Sequence, residues 1–256
     1  MEKSEPMQYA HVNGVRTAPV PKLRGTCCAC SGQMVAKCGS RVIWHWAHTP
    51  SQACDPWWEN ETEWHREWKS HFPEDWREVV QFDPDTGEKH VADVRTASGL
   101  VIELQHSAMP PEEMRSREAF YQRMLWIVNA RSFAERFEVS KVPLPHPEST
   151  LYADVVFNPV AHGAFWRRSE KSEDSILVQI HHWREIADEI QADYRGHHLY
   201  KWTRPHRVWF DATAPVYFEF GRDELLKLET IGELRTVQRT QRRALVADLL
   251  RESPTC

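Results

Sequence analysis

The stretch HVADVRTASGLVIELQ, residues 90–105, decides the fold, because one turn signal separates two short segments that both have the pattern of a strand. Ser98-Gly99 is a turn-forming pair, the residues before it alternate between apolar and polar, and those after it form an apolar run. Both flanks are therefore predicted to be strands. Alternate residues of a strand share a face, so Glu103 and Gln105 point the same way, and a neighbouring strand can bring Asp93 beside Glu103. Two carboxylates and a backbone carbonyl at one end of a sheet suit Mg²⁺ or Mn²⁺.

The residues before this stretch predict a helix and a further strand. In ENETEWHREWKSHF, residues 59–72, apolar side chains recur every four residues, as in an amphipathic helix. Asn60 is the predicted N-cap and Pro73 the predicted end. REVVQF, residues 77–82, is rich in β-branched residues and predicts a strand, and DPDTGE after it predicts a hairpin turn.

The residues after the stretch predict a second helix and a fourth strand. Pro110-Pro111 opens the helix EEMRSREAFYQRM, whose first turn carries acids, as the helix dipole prefers. LWIVNA, residues 125–130, predicts a buried strand. The expected order is helix, three strands, helix, strand, an α/β fold with a mixed sheet.

Three parts are expected along the chain: an N-terminal zinc-binding module at 1–56, this α/β core at 57–140, and an α+β extension at 141–256. The N-terminal 20 residues predict a loose lead-in or an edge strand. In the extension, SILVQI and RVWFDATAPVYFEF predict strands. HHWREIADEIQADYR and DELLKLETIGELRTVQRTQRRALVADLLR predict helices.

Composition limits the classes of function. The chain has 256 residues, 27% of them charged, and a net charge of −5, so contact with nucleic acid would need a local basic patch or bound metal. It has no apolar run of about 18 residues and no signal-peptide pattern at its start. We therefore expect a cytoplasmic protein without a membrane span. Its six cysteines would be reduced there, and their clustering favours metal binding over disulfides.

Cysteines and histidines in the N-terminal segment predict a zinc site. Cys27-x2-Cys30 is followed after 14 residues by His45-x2-His48, and two thiolates with two imidazoles suit tetrahedral Zn²⁺. The gap of two residues between the histidines is shorter than in common zinc fingers. Cys38 or Cys54 could therefore replace one histidine. The expected role of the zinc is structural, because it ties a short segment with little core into a fold.

The ordered motifs resemble the competence protein CoiA family, which carries an E-x-Q variant of the PD-(D/E)xK nuclease signature. D-x9-E-x-Q is met by Asp93, Glu103 and Gln105, and the E-x3-H-x3-K helix by Glu61, His65 and Lys69. Further likeness lies in Ala92-Asp93-Val94, in IELQHS at 102–107, in a helix with Arg117 and Tyr121, in the following Trp126-Ile127, and in the C-x2-C and H-x-A-H module. The resemblance spans about 70 residues of the core and implies a restriction-endonuclease-like fold.

The resemblance also implies roles for these residues. Asp93 and Glu103 would bind Mg²⁺ or Mn²⁺, which polarises the phosphate and lowers the pKa of a bound water. Glu61 could hold or orient a second metal, and His65 or Lys69 could contact phosphate. Gln105 takes the place of a lysine but brings no positive charge, so Lys69 or a second metal would have to supply it. The phosphate path would be lined by Arg115, Arg117 and Tyr121.

Two functions follow from this resemblance. The first is a divalent-metal-dependent nuclease that hydrolyses DNA, in the setting of competence and DNA processing, with DNA and recombination or uptake proteins as partners. The second is a catalytically inactive protein of the same fold that binds DNA or a recombination partner; Gln105 and the acidic net charge favour it. A purely structural zinc protein would leave Asp93 and Glu103 unexplained.

Overall fold

The computed structural model describes residues 7–49, 54–57, 61–173 and 176–252. The chain is a mixed α/β protein. It divides into two compact units, the first made of residues 1–127, 211–214 and 246–256, the second of residues 128–210 and 215–245. The three-part division expected from sequence stays a prediction.

The first unit begins with a small antiparallel sheet in the order β2-β1-β3-β4-β5. Its strands are β1 (Ala10–Val12), β2 (Val15–Thr17), β3 (Arg24–Thr26), β4 (Gln33–Lys37) and β5 (His45–His48). One face packs around a core of Met7, Ala10, Cys27, Met34 and Trp46. Residues 10–17 thus form two strands of this sheet, with β2 at its edge, in line with the edge-strand alternative.

The remainder of the first unit follows the predicted order of elements. Helix α1 (Glu63–Ser70) is followed by β6 (Arg77–Phe82), β7 (Lys89–Arg95), β8 (Val101–Gln105), α2 (Pro111–Tyr121) and β9 (Met124–Asn129). The strand order is β6-β7-β8-β9, with β6/β7 and β7/β8 antiparallel. All residues of β8 and β9 are buried, so both strands lie in the core.

The first helix begins later than its sequence pattern suggested. Its N-cap is Thr62, whose side chain accepts a hydrogen bond from the His65 backbone, while the His65 ring accepts one from the Thr62 N–H. This reciprocal capping satisfies two otherwise free N–H groups and sets the helix start. The expected N-cap, Asn60, lies outside the described residues. The helix ends at Ser70, before Pro73.

The second unit is mostly antiparallel sheet. Strands β10 (Phe137–Pro145), β14 (Tyr194–Trp202), β17 (Leu234–Gln241), β16 (Glu224–Ile231) and β15 (Val216–Glu219) lie side by side in that order. A three-stranded sheet contains β11 (Val155–Phe157), β12 (Ala164–Arg167) and β13 (His181–His182). The helices are α3 (Ala187–Ala192) and α4 (Arg242–Arg251), the latter extending into residues of the first unit.

The prediction of one long helix from residue 223 to 251 is wrong for its first two thirds. Residues 224–241 form the β16–β17 hairpin, with Ile231 paired to Leu234 across a two-residue turn. Gly232 takes a φ of +58° there, a conformation that glycine adopts without steric cost. The alternation of Leu226 and Leu228 with Lys227 and Glu229 was the strand signal; only residues 242–251 are helical.

Other expectations for the extension also need correction. Residues 176–180 contain no strand, and Ile176 and Leu177 are 95% and 78% exposed, because an apolar run becomes a strand only where a partner strand covers it. Arg207–Phe210 is a short 3-10 helix, and only Val216–Glu219 of that segment is a strand. In the segment expected to be helical from residue 181, β13 comes first, a 3-10 turn follows, and α3 spans six residues.

No helix among the described residues is long and apolar enough to cross a membrane.

Candidate functional site

A small polar cavity of ≈ 40 Å³ lies in the first unit, where α1, β6, β7, β8 and α2 approach one another. Most of its lining side chains are charged or polar: Asp55, Glu61, His65, Lys69, Glu78, Asp93, Glu103, Arg117 and Tyr121, together with Trp57, Val91 and Leu104. It brings together seven of the core residues predicted from sequence, which were spread over 61 positions of the chain.

Asp93 and Glu103 lie opposite each other on adjacent strands. The register pairs Val94 with Ile102 and Arg95 with Val101, and its next step pairs the two acids. Asp93 Oδ2 accepts a hydrogen bond from Leu104 N at 2.9 Å, and Glu103 Oε1 accepts one from Asp93 N at 3.4 Å. The two carboxylates therefore converge at one place on the sheet, as the strand pattern predicts.

The two acids differ in exposure. The Asp93 side chain is 22% exposed and that of Glu103 only 4%, so Asp93 forms the solvent side of the pair. Burial raises the pKa of Glu103 to about 7; Arg117 opposes this rise and the Asp93 charge adds to it. A carboxyl with such a pKa can take up or release a proton near neutral pH.

Lys69 is the positive centre of the cavity. Its Nζ lies 3.0 Å from Asp93 Oδ1, 3.2 Å from Glu78 Oε1 and 3.4 Å from Glu61 Oε1. Burial alone would lower the pKa of Lys69, but these three carboxylates raise it well above its ordinary value. The amine is thus charged and held against Asp93. A positive charge therefore lies beside the Asp93–Glu103 pair.

Glu78 is a cavity residue that the sequence reasoning missed. It is buried, and its carboxylate accepts backbone hydrogen bonds from Gln8 and Tyr9 as well as contacting Lys69. Burial raises its pKa, while Lys69 lowers it. A lone Glu inside REVVQF reads as a solvent-facing strand residue; the only sequence signal was the polar side chain within an apolar run.

His65 and Gln105 are placed differently from the roles implied for them. His65 Nδ1 accepts from Thr62 N at 3.1 Å, which leaves Nε2–H to donate to Leu104 O at 3.1 Å. Nδ1 thus caps α1 and Nε2 joins this helix to β8, and phosphate contact would require one of these two nitrogens to be released. Gln105 is buried outside the cavity lining, with Nε2 donating to Ser107 O at 3.1 Å.

The residues expected along the phosphate path also differ in whether they line the cavity. Arg117 is buried and contacts Glu103 Oε2 at 2.7 Å, the Glu113 carboxylate and the Trp57 carbonyl. Its positive charge is therefore paired with carboxylates inside the protein. Tyr121 lines the cavity, but Arg115 is 57% exposed, pairs with Glu112 and does not reach the cavity.

A second cluster lies in the N-terminal segment. The ligand atoms of Cys27, Cys30, His48 and Cys54 all lie within 4.8 Å of one another. Cys27 Sγ is 3.8 Å from Cys54 Sγ, and Cys30 Sγ is 3.3 Å from His48 Nε2. Tetrahedral zinc with Zn–S bonds of about 2.3 Å separates two sulfur ligands by about 3.8 Å, so the four donors fit such an ion. The cluster could hold a metal ion.

One of the four zinc ligands predicted from the sequence does not belong to this cluster. His45 lies outside it, with Nδ1 donating to Ile43 O at 2.8 Å, and Cys54 takes its place. The reason is strand geometry: His45 and His48 are three residues apart in β5, so their side chains point to opposite faces. Cys38 also lies outside the cluster, although the sequence left it as an alternative.

The metal cluster and the cavity are joined through residues 54–57. Asp55, next to the Cys54 ligand, is buried and accepts from Val91 N and from His90 Nδ1, both at 2.8 Å. Val91 lies two residues before Asp93 on β7 and faces the same side. The Trp57 ring stacks on His90 at 3.2 Å. Asp55 thus connects the segment beside Cys54 to the strand that carries Asp93.

The fold and these two sites define a mixed α/β protein with a Cys₃His cluster that could hold a metal ion and a separate carboxylate-rich cavity. Residues 21–56 match the family described as Competence protein CoiA, N-terminal domain, a segment that holds all four ligands of the cluster. Residues 21–56 are thus similar to the N-terminal domain of the CoiA family, which suggests a competence-related function. The match confirms the resemblance to that family for this segment. No curated protein and no solved structure matches the chain.

Proposed function

We propose that the chain is a divalent-metal-dependent nuclease that hydrolyses phosphodiester bonds of DNA in a competence-related process. The observation that carries the proposal is the Asp93–Glu103 pair beside the Lys69 amine, 3.0 Å from Asp93. The order α1-β6-β7-β8-α2-β9 supports a restriction-endonuclease-like core at 57–140, between a zinc module at 1–56 and an extension at 141–256.

In this mechanism each residue has a defined task. Asp93 and Glu103 would hold Mg²⁺ or Mn²⁺, and the ion would supply Lewis acidity and lower the pKa of water. Lys69, charged because three carboxylates surround it, offsets negative charge that develops on the phosphate. Arg117 orients Glu103 through its 2.7 Å contact, and Glu78 and Glu61 hold the Lys69 amine in place.

The Cys₃His cluster is proposed to bind Zn²⁺ as a structural ion. Three thiolates and one imidazole are a common closed zinc set, which leaves no open position for a substrate. Its role is to stabilise the small β1–β5 sheet and to hold Asp55 against β7.

Cleavage assays test the proposed activity. Purified protein is incubated with linear, circular and single-stranded DNA plus Mg²⁺ or Mn²⁺, beside Asp93→Ala and Glu103→Ala. Asp85→Ala, an exposed acid of the β6–β7 turn, and Glu112→Ala, an exposed acid of α2, serve as matched controls. We expect cleavage by the wild type and both controls but by neither cavity variant. Equal cleavage by all five proteins would identify a contaminant and defeat the proposal.

A second candidate is the same fold binding DNA or a recombination partner without cleaving. It is favoured by Arg117, which already pairs with Glu103, and by the Gln105 amide, which is directed to Ser107 O. DNA binding that persists in Asp93→Ala, combined with no metal-dependent cleavage by the wild type, would select this function over the nuclease.

A further inference from the structure

The N-terminal segment has a charge pattern unlike that of the rest of the chain. Between Glu5 and Asp55 it contains no acidic residue, although the whole chain has 37. It carries five cations: Arg16, Lys22, Arg24, Lys37 and Arg41. The net charge of −5 therefore hides a purely basic segment. A local basic surface is the electrostatic feature that attracts a polyanion.

Strand geometry places two of these cations, Arg24 and Lys37, on one face of the small sheet. Arg24 on β3 pairs with Val35 on β4, and Lys37 on β4 pairs with His45 on β5. Alternate residues share a face, so Arg24, Lys37 and His45 lie on the same side, opposite the buried Met34. Lys22, in the turn before β3, is also exposed.

The turn between β4 and β5 extends this surface. This turn forms an open pocket with a volume of ≈ 580 Å³, whose lining residues include Lys37, Arg41 and His45. Beside it Trp44 is 45% exposed and Val42 is 59% exposed. Cations interleaved with an exposed aromatic ring suit a phosphate backbone whose bases can stack on that ring. We call Lys22, Arg24, Lys37, Arg41 and Trp44 the basic face.

The cations of the basic face are available to a ligand. Lys22, Arg24, Lys37 and Arg41 are all exposed, and none forms an ion pair within the described ranges. In contrast, Lys69 and Arg117, which the sequence suggested for phosphate contact, are buried and ion-paired. Arg16 is also engaged, with the carbonyls of Glu74 and Arg77.

The basic face is connected to the cavity. Arg66 on α1 donates to the carbonyl of Trp44 in the β4–β5 turn and also pairs with Glu61, which lines the cavity. A strand of nucleic acid held on the basic face is therefore bound next to the helix that carries Lys69. A membrane surface would gain nothing from that connection.

We propose that the basic face binds the phosphodiester backbone of nucleic acid and is the main binding surface of this protein. Duplex DNA carries one charge per about 1.7 Å of its axis, a density that a row of unpaired cations complements. The proposal adds a binding surface to the proposed nuclease but does not depend on cleavage, because binding can be measured when the cavity is inactive.

The test measures binding by the full-length, metal-loaded protein in the Asp93→Ala background. Fluorescence anisotropy follows a labelled single strand and a labelled duplex over a range of salt concentrations. The test variant replaces Lys22, Arg24, Lys37 and Arg41 by Ser. The matched control replaces four exposed cations of the second unit by Ser: Arg184, Lys201, Arg207 and Arg222. Zinc content and circular dichroism confirm that both fold; single substitutions of Lys37 and Arg41 by Glu replace the test variant if it does not.

We expect the test variant to bind at least about tenfold more weakly, and its slope of log affinity against log salt to fall by about three to four units, one per lost phosphate contact. The control should change neither. Trp44→Ala should weaken binding of the single strand more than binding of the duplex, because only unpaired bases can stack on the ring. Equal losses in both quadruple variants, or no binding by the Asp93→Ala protein at low salt, would overturn the proposal. Tighter binding to phosphatidylglycerol vesicles than to either nucleic acid would do so as well. Failure of cleavage alone would leave it standing.

Discussion

Lys69 shows how a buried charge depends on its surroundings. Its amine contacts three carboxylates, two of which, Glu61 and Glu78, are themselves almost fully buried. Removing one member of a buried ion cluster leaves the others desolvated without compensation, which costs more than the cluster contributes. The cavity is thus a structural element of the first unit as well as a candidate site.

We expect Lys69→Met to lower the free energy of unfolding by about 3–5 kcal/mol, because it leaves charged carboxylates buried and unpaired. Adding Glu78→Gln should recover part of that loss, since one of the unpaired charges is then removed. Urea unfolding of the two single variants and the double variant gives the coupling. Strictly additive losses would show that the two groups do not interact.

His198 gives the second unit a dependence on pH. It is buried, donates from Nδ1 to Val142 O and accepts from the Tyr194 hydroxyl at 2.7 Å, an arrangement that needs the neutral ring. Burial lowers its pKa below the ordinary value of 6.5, and Arg239 adds to this. The unfolded chain therefore binds a proton at this residue more readily than the folded chain does.

Stability should fall as pH drops below about 6.5, with His198 contributing at most about 1.4 kcal/mol per pH unit because one proton is involved. Above that pH both states are neutral and the contribution is constant. His198→Gln should flatten this part of the profile. Urea midpoints at pH 5 and 7.5 for the two proteins measure it; an unchanged difference between the two pH values would contradict the assignment.

At the scale of elements, two glycines differ in what restricts their replacement: backbone conformation alone at one position, and also a neighbouring strand at the other. Gly232 and Gly196 both have positive φ, +58° and +91°. A Cβ at Gly232 would meet nothing within 4 Å, whereas a Cβ at Gly196 on β14 would lie 2.7 Å from the Arg239 carbonyl oxygen on β17. The first position is limited by conformation alone, the second also by the neighbouring strand.

We expect Gly232→Ala to cost about 1 kcal/mol, the usual penalty for a left-handed alanine. Gly196→Ala should cost clearly more, because two backbones would have to move apart. Thermal or urea unfolding of both variants provides the comparison, with Gly232→Ala as the internal control for φ. Equal costs would mean that β14 and β17 adjust freely.

The strand β5 also settles which residues can share a metal. Because His45 and His48 point to opposite faces, only His48 reaches Cys27, Cys30 and Cys54. The imidazole of His45, three residues before His48 in the strand, therefore cannot join the cluster. Cys54 supplies the fourth ligand instead.

We expect the purified protein to hold one zinc ion per chain, measured by mass spectrometry of the element. Cys54→Ser should lose most of it, since a thiolate ligand is removed, while His45→Ala should keep it. Removing zinc with a chelator should lower the melting temperature, because metal binding contributes folding free energy. Zinc retained by Cys54→Ser and lost by His45→Ala would restore the ligand set expected from sequence.

At the scale of the whole molecule, the charge is distributed unevenly. An acid-free N-terminal segment and a carboxylate-rich cavity lie in the same unit, and the net charge of −5 describes neither. The proposed binding surface and the proposed catalytic cavity are thus different parts of this unit. The proposed nuclease and the basic face can therefore be tested separately, one by cleavage and the other by salt-dependent binding.

Local patterns determined the core of the first unit. The alternation around Ser98-Gly99, the four-residue apolar spacing of α1 and the Pro110-Pro111 start of α2 each depend on neighbours in sequence, and all these elements form within a few residues of the predicted bounds. Alternation also placed Asp93 and Glu103 together, because strand faces follow from the period of two. The β16–β17 hairpin was missed since its alternation competes with residues that also favour helix.

Only the tertiary structure decided which distant groups meet. Glu78 enters the cavity because its strand lies against the N-terminal backbone, Cys54 replaces His45 because β5 is extended, and Arg117 turns inward to Glu103. Side-chain partners of this kind depend on packing between elements far apart in sequence. Periodicity reports which face a residue occupies, and it carries no information about what the fold brings opposite that face.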